Sequence, residues 1–174
     1  LIKRCDKLLL GYEEKLHLVE RFSRIKEKIE QIEGRTSQEE IKKLATEILE
    51  EILELGMRPV VAHPERYQYV QEDPTILNLW VQMGCLLQIN KGSLLGRFGP
   101  YERRLAFELV DRGFAFAVAS DAHSPMVRTT WMQDVDRLLR EEFSGAAAEV
   151  LLERNPKKLL HNETIRWSDP HWFR

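Results

Sequence analysis

Three short segments of the chain place side chains capable of metal or phosphate chemistry directly after an apolar run. His63-Pro64-Glu65-Arg66-Tyr67 follows Pro59-Val60-Val61-Ala62, Asn90-Lys91-Gly92-Ser93 follows Cys85 to Ile89, and Ser120-Asp121-Ala122-His123-Ser124 follows Phe114 to Ala119. His63, Asp121 and His123 supply the nitrogen and oxygen donors that suit zinc, manganese or iron. In Asp121-Ala122-His123 the alternation of an extended backbone puts both donors on one side, where they can reach one ion or two adjacent ions. Arg66 comes three residues after His63, and Arg128 five after His123. A guanidinium is a rigid fork that grips phosphate oxygens at two points. Ligands and arginines in one place point to phosphate-ester hydrolysis, with metal activating a water and arginine stabilising the developing charge. Each residue alone has a structural alternative: Asp121 could cap a helix, and Arg66 could pair with Glu65 or Glu72. The functional reading rests on their joint occurrence.

For these groups to meet, the apolar runs must lie side by side. Gly56, Gly84 and Gly113 each precede a short run that is apolar on both faces, the pattern of buried parallel strands. The glycines recur at roughly the length of one strand-plus-helix unit. Between the runs, Asp73 is placed to cap a helix with Pro74 in its first turn that runs through Ile76, Leu77, Trp80 and Val81. Pro100 opens a second helix with Leu105, Leu109 and Val110 buried, and a third, using Val135, Leu138 and Leu139, is expected over about Thr129 to Glu142. Gly145 then leads into Val150-Leu151-Leu152, closed by Asn155-Pro156. The class is α/β with parallel strands, whose ligands bind at the carboxyl ends of the strands. His63, Asn90, Asp121 and His123 then share one rim. Before Gly56 the rhythm is helical: Leu16, Val19, Phe22, Ile25, Ile29 and Ile32 form one stripe between Tyr12 and Gly34. Ser37 with Glu40 predicts a capping box for a second helix that carries Ile41, Leu44, Ile48, Ile52 and Leu55 inward.

Composition narrows the function classes. Of the 174 residues, 26 are Lys or Arg and 28 Asp or Glu, a net charge of -2 that gives no basic excess for nucleic acid. No apolar stretch approaches the ~20 residues of a membrane span, and no signal-peptide pattern opens the chain. Two isolated cysteines, Cys5 and Cys85, suit a reducing cytoplasm. The chain starts at Leu1 rather than Met, which suits a piece of a longer product. His17, His161 and His171 stand in no comparable setting and are expected as surface or packing residues. Tyr67 and Tyr69 could line a pocket, and Gly96-Arg97-Phe98-Gly99 reads as a turn.

Taken together, Pro59 to Tyr67 (PVVAHPERY), Gln88 to Gly99 (QINKGSLLGRFG) and Ala119 to Ser124 (ASDAHS) followed by Arg128 resemble one family. It is the bacterial manganese-dependent protein-tyrosine phosphatases of the PHP (polymerase and histidinol phosphatase) superfamily, encoded with capsule and exopolysaccharide genes. The resemblance runs over Gln38 to Glu163, including Met132-Gln133 and the Asn155-Pro-Lys-Lys-Leu-Leu ending. It implies His63, Asp121 and His123 as metal ligands and Arg66 and Arg128 as the arginines that hold the phosphoryl group. It further implies Mn2+ (or another divalent metal such as Fe or Zn), a tyrosine-phosphorylated bacterial kinase as partner and a distorted (β/α) barrel.

The chain departs from that family in its first part. The family opens with a His-x-His strand, a Thr-x-His motif and a ligating Glu, and this chain has no His-x-His. Glu33 falls near the family's Glu but on a helical pattern. The expected organisation is a helical segment over 1–37, the carboxyl-terminal part of a PHP phosphatase domain over 38–165, and a tail over 166–174. The fold expected is thus a partial barrel preceded by amphipathic helices, with open edges that favour self-association or complementation by another chain. Three ligands hold at most one ion well. A catalytically silent remnant that binds a partner, and a small-molecule phosphomonoesterase such as histidinol phosphatase, remain as alternatives.

Overall fold

The computed structural model describes residues 18–33, 37–124, 126, 128–165 and 170–173. Two compact units divide between Pro59 and Val60, just past the change in composition near Gly56. The expected helix start at Tyr12, its stop at Gly34, Cys5, His17 and residues 166–169 lie outside the described residues, as does the side chain of Glu33. Among the described residues no helix is long and apolar enough to cross a membrane.

The first unit contains α1 (Leu18–Glu33) and α2 (Gln38–Glu54). Ion pairs join them: Lys28 Nζ to Glu47 Oε2 at 2.6 Å and Arg24 Nη2 to Glu51 Oε2 at 3.2 Å. Ile25 of the apolar stripe is buried, whereas Phe22 and Ile29 are 53% and 46% exposed. The stripe is wider than one neighbouring helix covers. Ser37 stands at the N-cap with an extended backbone, but its side chain makes no capping bond. The expected capping box is therefore not formed; Glu39 and Glu40 in the first turn favour the helix start through its dipole. At the other end Gly56, at φ 75°, lets the Met57 N–H reach the Ile52 carbonyl (3.3 Å) and its own N–H reach Leu53 (2.8 Å). That is a Schellman closure, which favours glycine.

The second unit is α/β with parallel strands, as the sequence predicts. β1 (Val60–Ala62), β2 (Leu86–Asn90) and β3 (Ala115–Ala119) lie in the order β1-β2-β3. Val61 pairs with Leu87, and Asn90 with Ala119, all in parallel. A 3-10 turn (Pro64–Arg66), α3 (Gln68–Glu72) and α4 (Ile76–Met83) connect β1 to β2. β2 runs without a break into α5 (Lys91–Leu94), and α6 (Pro100–Asp111) leads to β3. After the segment 120–132 come α7 (Gln133–Glu142), α8 (Gly145–Glu149), a π turn (Val150–Arg154) and α9 (Asn155–Leu160). Leu77, Trp80, Leu86, Ile89, Leu109, Phe114, Phe116 and Leu139 fill the core.

α4 opens at Ile76, and Asp73 caps the turn that leads into it, as expected: its Oδ1 accepts from the backbone N–H (3.2 Å) and hydroxyl (2.5 Å) of Thr75, and the Pro74 carbonyl accepts from the Leu77 N–H (3.1 Å). The start of α7 differs from expectation, for a hydrogen-bonding reason. α7 begins at Gln133 rather than Thr129 because the Arg128 carbonyl accepts from the His123 (2.9 Å) and Ser124 (3.3 Å) N–H groups. A carbonyl committed to that loop is not offered to a helical turn. Residues 170–173 pack on the same unit: the Asn78 amide donates to the Phe173 carbonyl (2.9 Å) and accepts from its N–H (3.0 Å), and Phe173 lies 5.0 Å from Phe114.

Candidate active site

Because the strands are parallel, their carboxyl ends deliver three segments to one end of the sheet. β1 stops at Ala62, and His63 takes a left-handed backbone (φ 41°) before Pro64 starts the 3-10 turn. Its N–H still donates to the Gln88 carbonyl at 2.7 Å, extending the ladder one step. Past β3, Asp121 is also left-handed (φ 48°). Such a backbone is costly for a non-glycine residue and persists only where surrounding contacts enforce it. Among the described residues three non-glycines have positive φ, and two of them, His63 and Asp121, are candidate ligands.

Asp121 is where the segments meet. Its Oδ2 accepts from Arg128 Nη2 and from Asn90 Nδ2 (2.7 Å), and Arg66 Nη1 lies 3.8 Å away. Asp121 therefore does not cap α7, and Arg66 turns to Asp121 rather than to Glu65 or Glu72. The Arg66 guanidinium also lies over the Phe98 ring, 4.2 Å from its centroid, a cation–π contact that leaves its edge free to bind. Asn90 is oriented by its own position at the start of α5: Oδ1 accepts from the Gly92 N–H at 2.8 Å, which aims Nδ2 at Asp121.

His123 sits beside this cluster, 60% exposed at its side chain, with Nδ1 3.5 Å from Asp121 Oδ1 and 2.7 Å from the Asp121 carbonyl. A carbonyl only accepts, so that bond places a proton on Nδ1; in the neutral ring it is then Nε2 that carries the lone pair a metal ligand requires. His63 Nδ1 is buried without a hydrogen-bond partner. Its ring stands edge-on to Tyr67 at 5.9 Å; Tyr67 stacks on Tyr69 at 5.6 Å, and its hydroxyl donates to the Ala62 carbonyl at 2.8 Å. Burial pushes the Tyr67 phenol up from its ordinary range. Trp80 is core, as expected, and His161 and His171 are at the surface.

Glu65 and Phe98 take part in ways the sequence did not mark. Glu65 is fully buried: Oε1 accepts from the Asn90 N–H (3.0 Å) and the Ser93 hydroxyl (2.6 Å), tying the β1 turn to the end of β2. Burial pushes its carboxyl above the usual range, against the opposing pull of those hydrogen bonds. Phe98, in the Gly96-to-Gly99 turn, becomes the platform under Arg66.

The donor types fit a divalent metal, and the partnerless His63 nitrogen fits a missing partner of that kind. The arrangement does not complete a site. Among the described residues no group of three or more His, Cys, Asp or Glu side chains is placed to hold an ion, and the Asp121 carboxylate is engaged by arginine.

The chain is similar to known proteins. A family model described as "Capsular polysaccharide synthesis, CpsB/CapC" matches residues 35–161. A second model, for helix-turn-helix proteins of the YlxM / p13 like type, matches residues 1–49. The chain is 38% identical over 110 residues to tyrosine-protein phosphatase YwqE of Bacillus subtilis, covering 63% of this chain and 43% of that protein. It is 30% identical over 122 residues to tyrosine-protein phosphatase CpsB of Streptococcus pneumoniae, covering 67% and 50%. The solved structures described as YwqE from Bacillus subtilis and CpsB from Streptococcus pneumoniae, "unique metal-dependent tyrosine phosphatases", include a chain similar at TM-score 0.68 and 33% identity. That match covers 75% of this chain and 52% of that one. The chain spans about half the length of the relatives it matches.

Proposed function

The chain belongs to the CpsB/CapC family of capsular polysaccharide synthesis, and we propose that it carries the phosphoryl-binding part of a metal-dependent protein-tyrosine phosphatase site. The carrying observation is the convergence of Arg66 and Arg128, from two separate strand ends, on one oxygen of Asp121. Each guanidinium has five N–H donors, more than this carboxylate takes up. A phosphoryl group entering between them receives two forks whose positions are already fixed, by Phe98 on one side and by Asp121 on the other. Fixed cationic donors at the phosphoryl oxygens are the electrostatic element that phosphate-ester cleavage requires.

In this reading His63, Asp121 and His123 are metal ligands. Mn2+ is the first choice, with Fe or Zn the others; it follows from the family and the donor types, and ligands from outside this chain close the site. The substrate class is phosphotyrosine on a protein, and the partner a tyrosine-phosphorylated bacterial kinase of polysaccharide synthesis. The site's incomplete ligand set favours binding without rapid turnover by this chain alone.

The test is to incubate the chain with a phosphotyrosine peptide, once with added manganese and once with EDTA. The expected result is binding in both conditions and no phosphate release above the EDTA control. Rapid manganese-dependent release would show that the ligands within this chain suffice. Absence of binding in both conditions would overturn the phosphoryl-site reading.

A further inference from the structure

The proposed chemistry leaves the buried ammonium of Lys91 unused. Lys91, the first residue of α5, is 2% exposed. Its ammonium donates to the Trp131 carbonyl and lies 3.8 Å from Asp134 Oδ1, while the other Asp134 oxygen accepts from Arg97 Nη2 at 2.9 Å. Lysine is almost never fully buried unless paired, so this arrangement needs a reason.

The reason lies in the two ends of segment 120–132. Asn90 and Lys91 are consecutive at the end of β2. Asn90 holds the segment near its start, at Asp121; Lys91 holds it near its finish, at Trp131. Between them the Arg128 carbonyl accepts from the His123 (2.9 Å) and Ser124 (3.3 Å) N–H groups. Arg128 is three residues from Trp131, so the main chain carrying it is fixed from both sides. Arg66, on the β1 turn, has no such dependence.

We propose that Lys91 is a positioning residue for the phosphoryl site: its buried ammonium pins the Trp131 end of the segment and so keeps Arg128 on Asp121. This rests on the reading of Arg128 as a phosphoryl-binding group. Replacing Lys91 with methionine keeps the length of the apolar stem and removes the donor. Asp134 keeps Arg97, and the Trp131 carbonyl loses its partner.

The experiment is a mutant cycle read by phosphotyrosine-peptide affinity, with amide hydrogen exchange on the same full chains. Lys91→Met is expected to weaken binding about tenfold, the worth of a hydrogen bond to a charged group. The loss should recur in an Arg66→Met background and vanish in an Arg128→Met background. A merely structural role would cost the same in both. Exchange at the His123 amide is expected to quicken about tenfold, with the Leu87 and Val118 strand amides unchanged. Equal losses in both backgrounds, or an unchanged His123 amide, would overturn the proposal. If the unaltered chain binds no phosphotyrosine, the arginine reading fails, and the His123 amide alone decides whether Lys91 pins the segment. Should Lys91→Met not fold, Asp134→Asn weakens the same clamp and is expected to move both readouts in the same directions by a few-fold.

Discussion

Around Asp121, one carboxylate oxygen is shared by two guanidinium groups and an amide, and each of these groups is held by a different element. Charge-assisted bonds of this kind contribute about 1.5–3 kcal/mol each. Arg66→Met and Arg128→Met are therefore each expected to weaken phosphotyrosine-peptide binding about tenfold or more, with unphosphorylated peptide unaffected; isothermal titration reads this directly. Asp121→Ala and His123→Ala are expected to lower the manganese retained by the chain, measured by metal analysis after gel filtration, and equal retention would remove both from the ligand set. That the segments carrying His63, Arg66, Asp121, His123 and Arg128 gather at one end of the sheet was legible because each segment follows a both-faces-apolar run. The burial of Glu65 and Lys91 was not. A charged residue is read as solvated by default, and what buries these two is the packing of the Pro64–Arg66 turn and segment 120–132 onto α5, which no local pattern encodes.

Among the elements, the strands were legible almost to the residue, since a both-faces-apolar run after a left-handed glycine leaves little alternative. The start of α7 was not, because the Arg128 carbonyl settles it through bonds specific to its turn, whereas Pro100 marked the start of α6. α5 depends on Gly92 in a way that can be tested. A Cβ there would lie 2.6 Å from Phe98 Cε2 and 3.1 Å from Asn90 Oδ1. Gly92→Ala is expected to displace the ring under Arg66 and weaken phosphotyrosine binding several-fold, roughly 1 kcal/mol for a lost cation–π contact. The α1–α2 pair has its own signature in pH. The hydrogen bond from Lys28 holds the Glu47 carboxyl below its ordinary 4.5. A depressed carboxyl stabilises the folded form above its ordinary value and loses that contribution as pH falls through the folded value. Acidification should therefore loosen α1 against α2, followed by helical circular dichroism, and Glu47→Gln should flatten that acid dependence. An unchanged profile in the variant would mean the pair contributes nothing.

At the scale of the whole molecule, every proposed ligand and arginine lies in the unit Val60–Arg174, which has its own parallel sheet and core. The two family matches do not stop at this division: one covers residues 1–49, and the other, over 35–161, takes in α2 as well as the second unit. With both arginines in the second unit, a fragment of residues 57–174 is expected to keep the phosphotyrosine affinity of the full chain, measured by the same titration. The parallel sheet was legible as three strand-plus-helix repeats, whereas the seating of residues 170–173 on Asn78 and Phe114 was not, since a short aromatic segment carries no periodicity. The central claim is that this chain presents a phosphoryl-binding site built by Arg66 and Arg128. Its most direct test is the titration of one tyrosine peptide, phosphorylated and unphosphorylated, into the unaltered chain and into the double variant Arg66→Met, Arg128→Met. The account predicts saturable binding of the phosphorylated peptide alone, lost in the double variant; equal binding of both peptides, or binding that survives loss of both arginines, would contradict it.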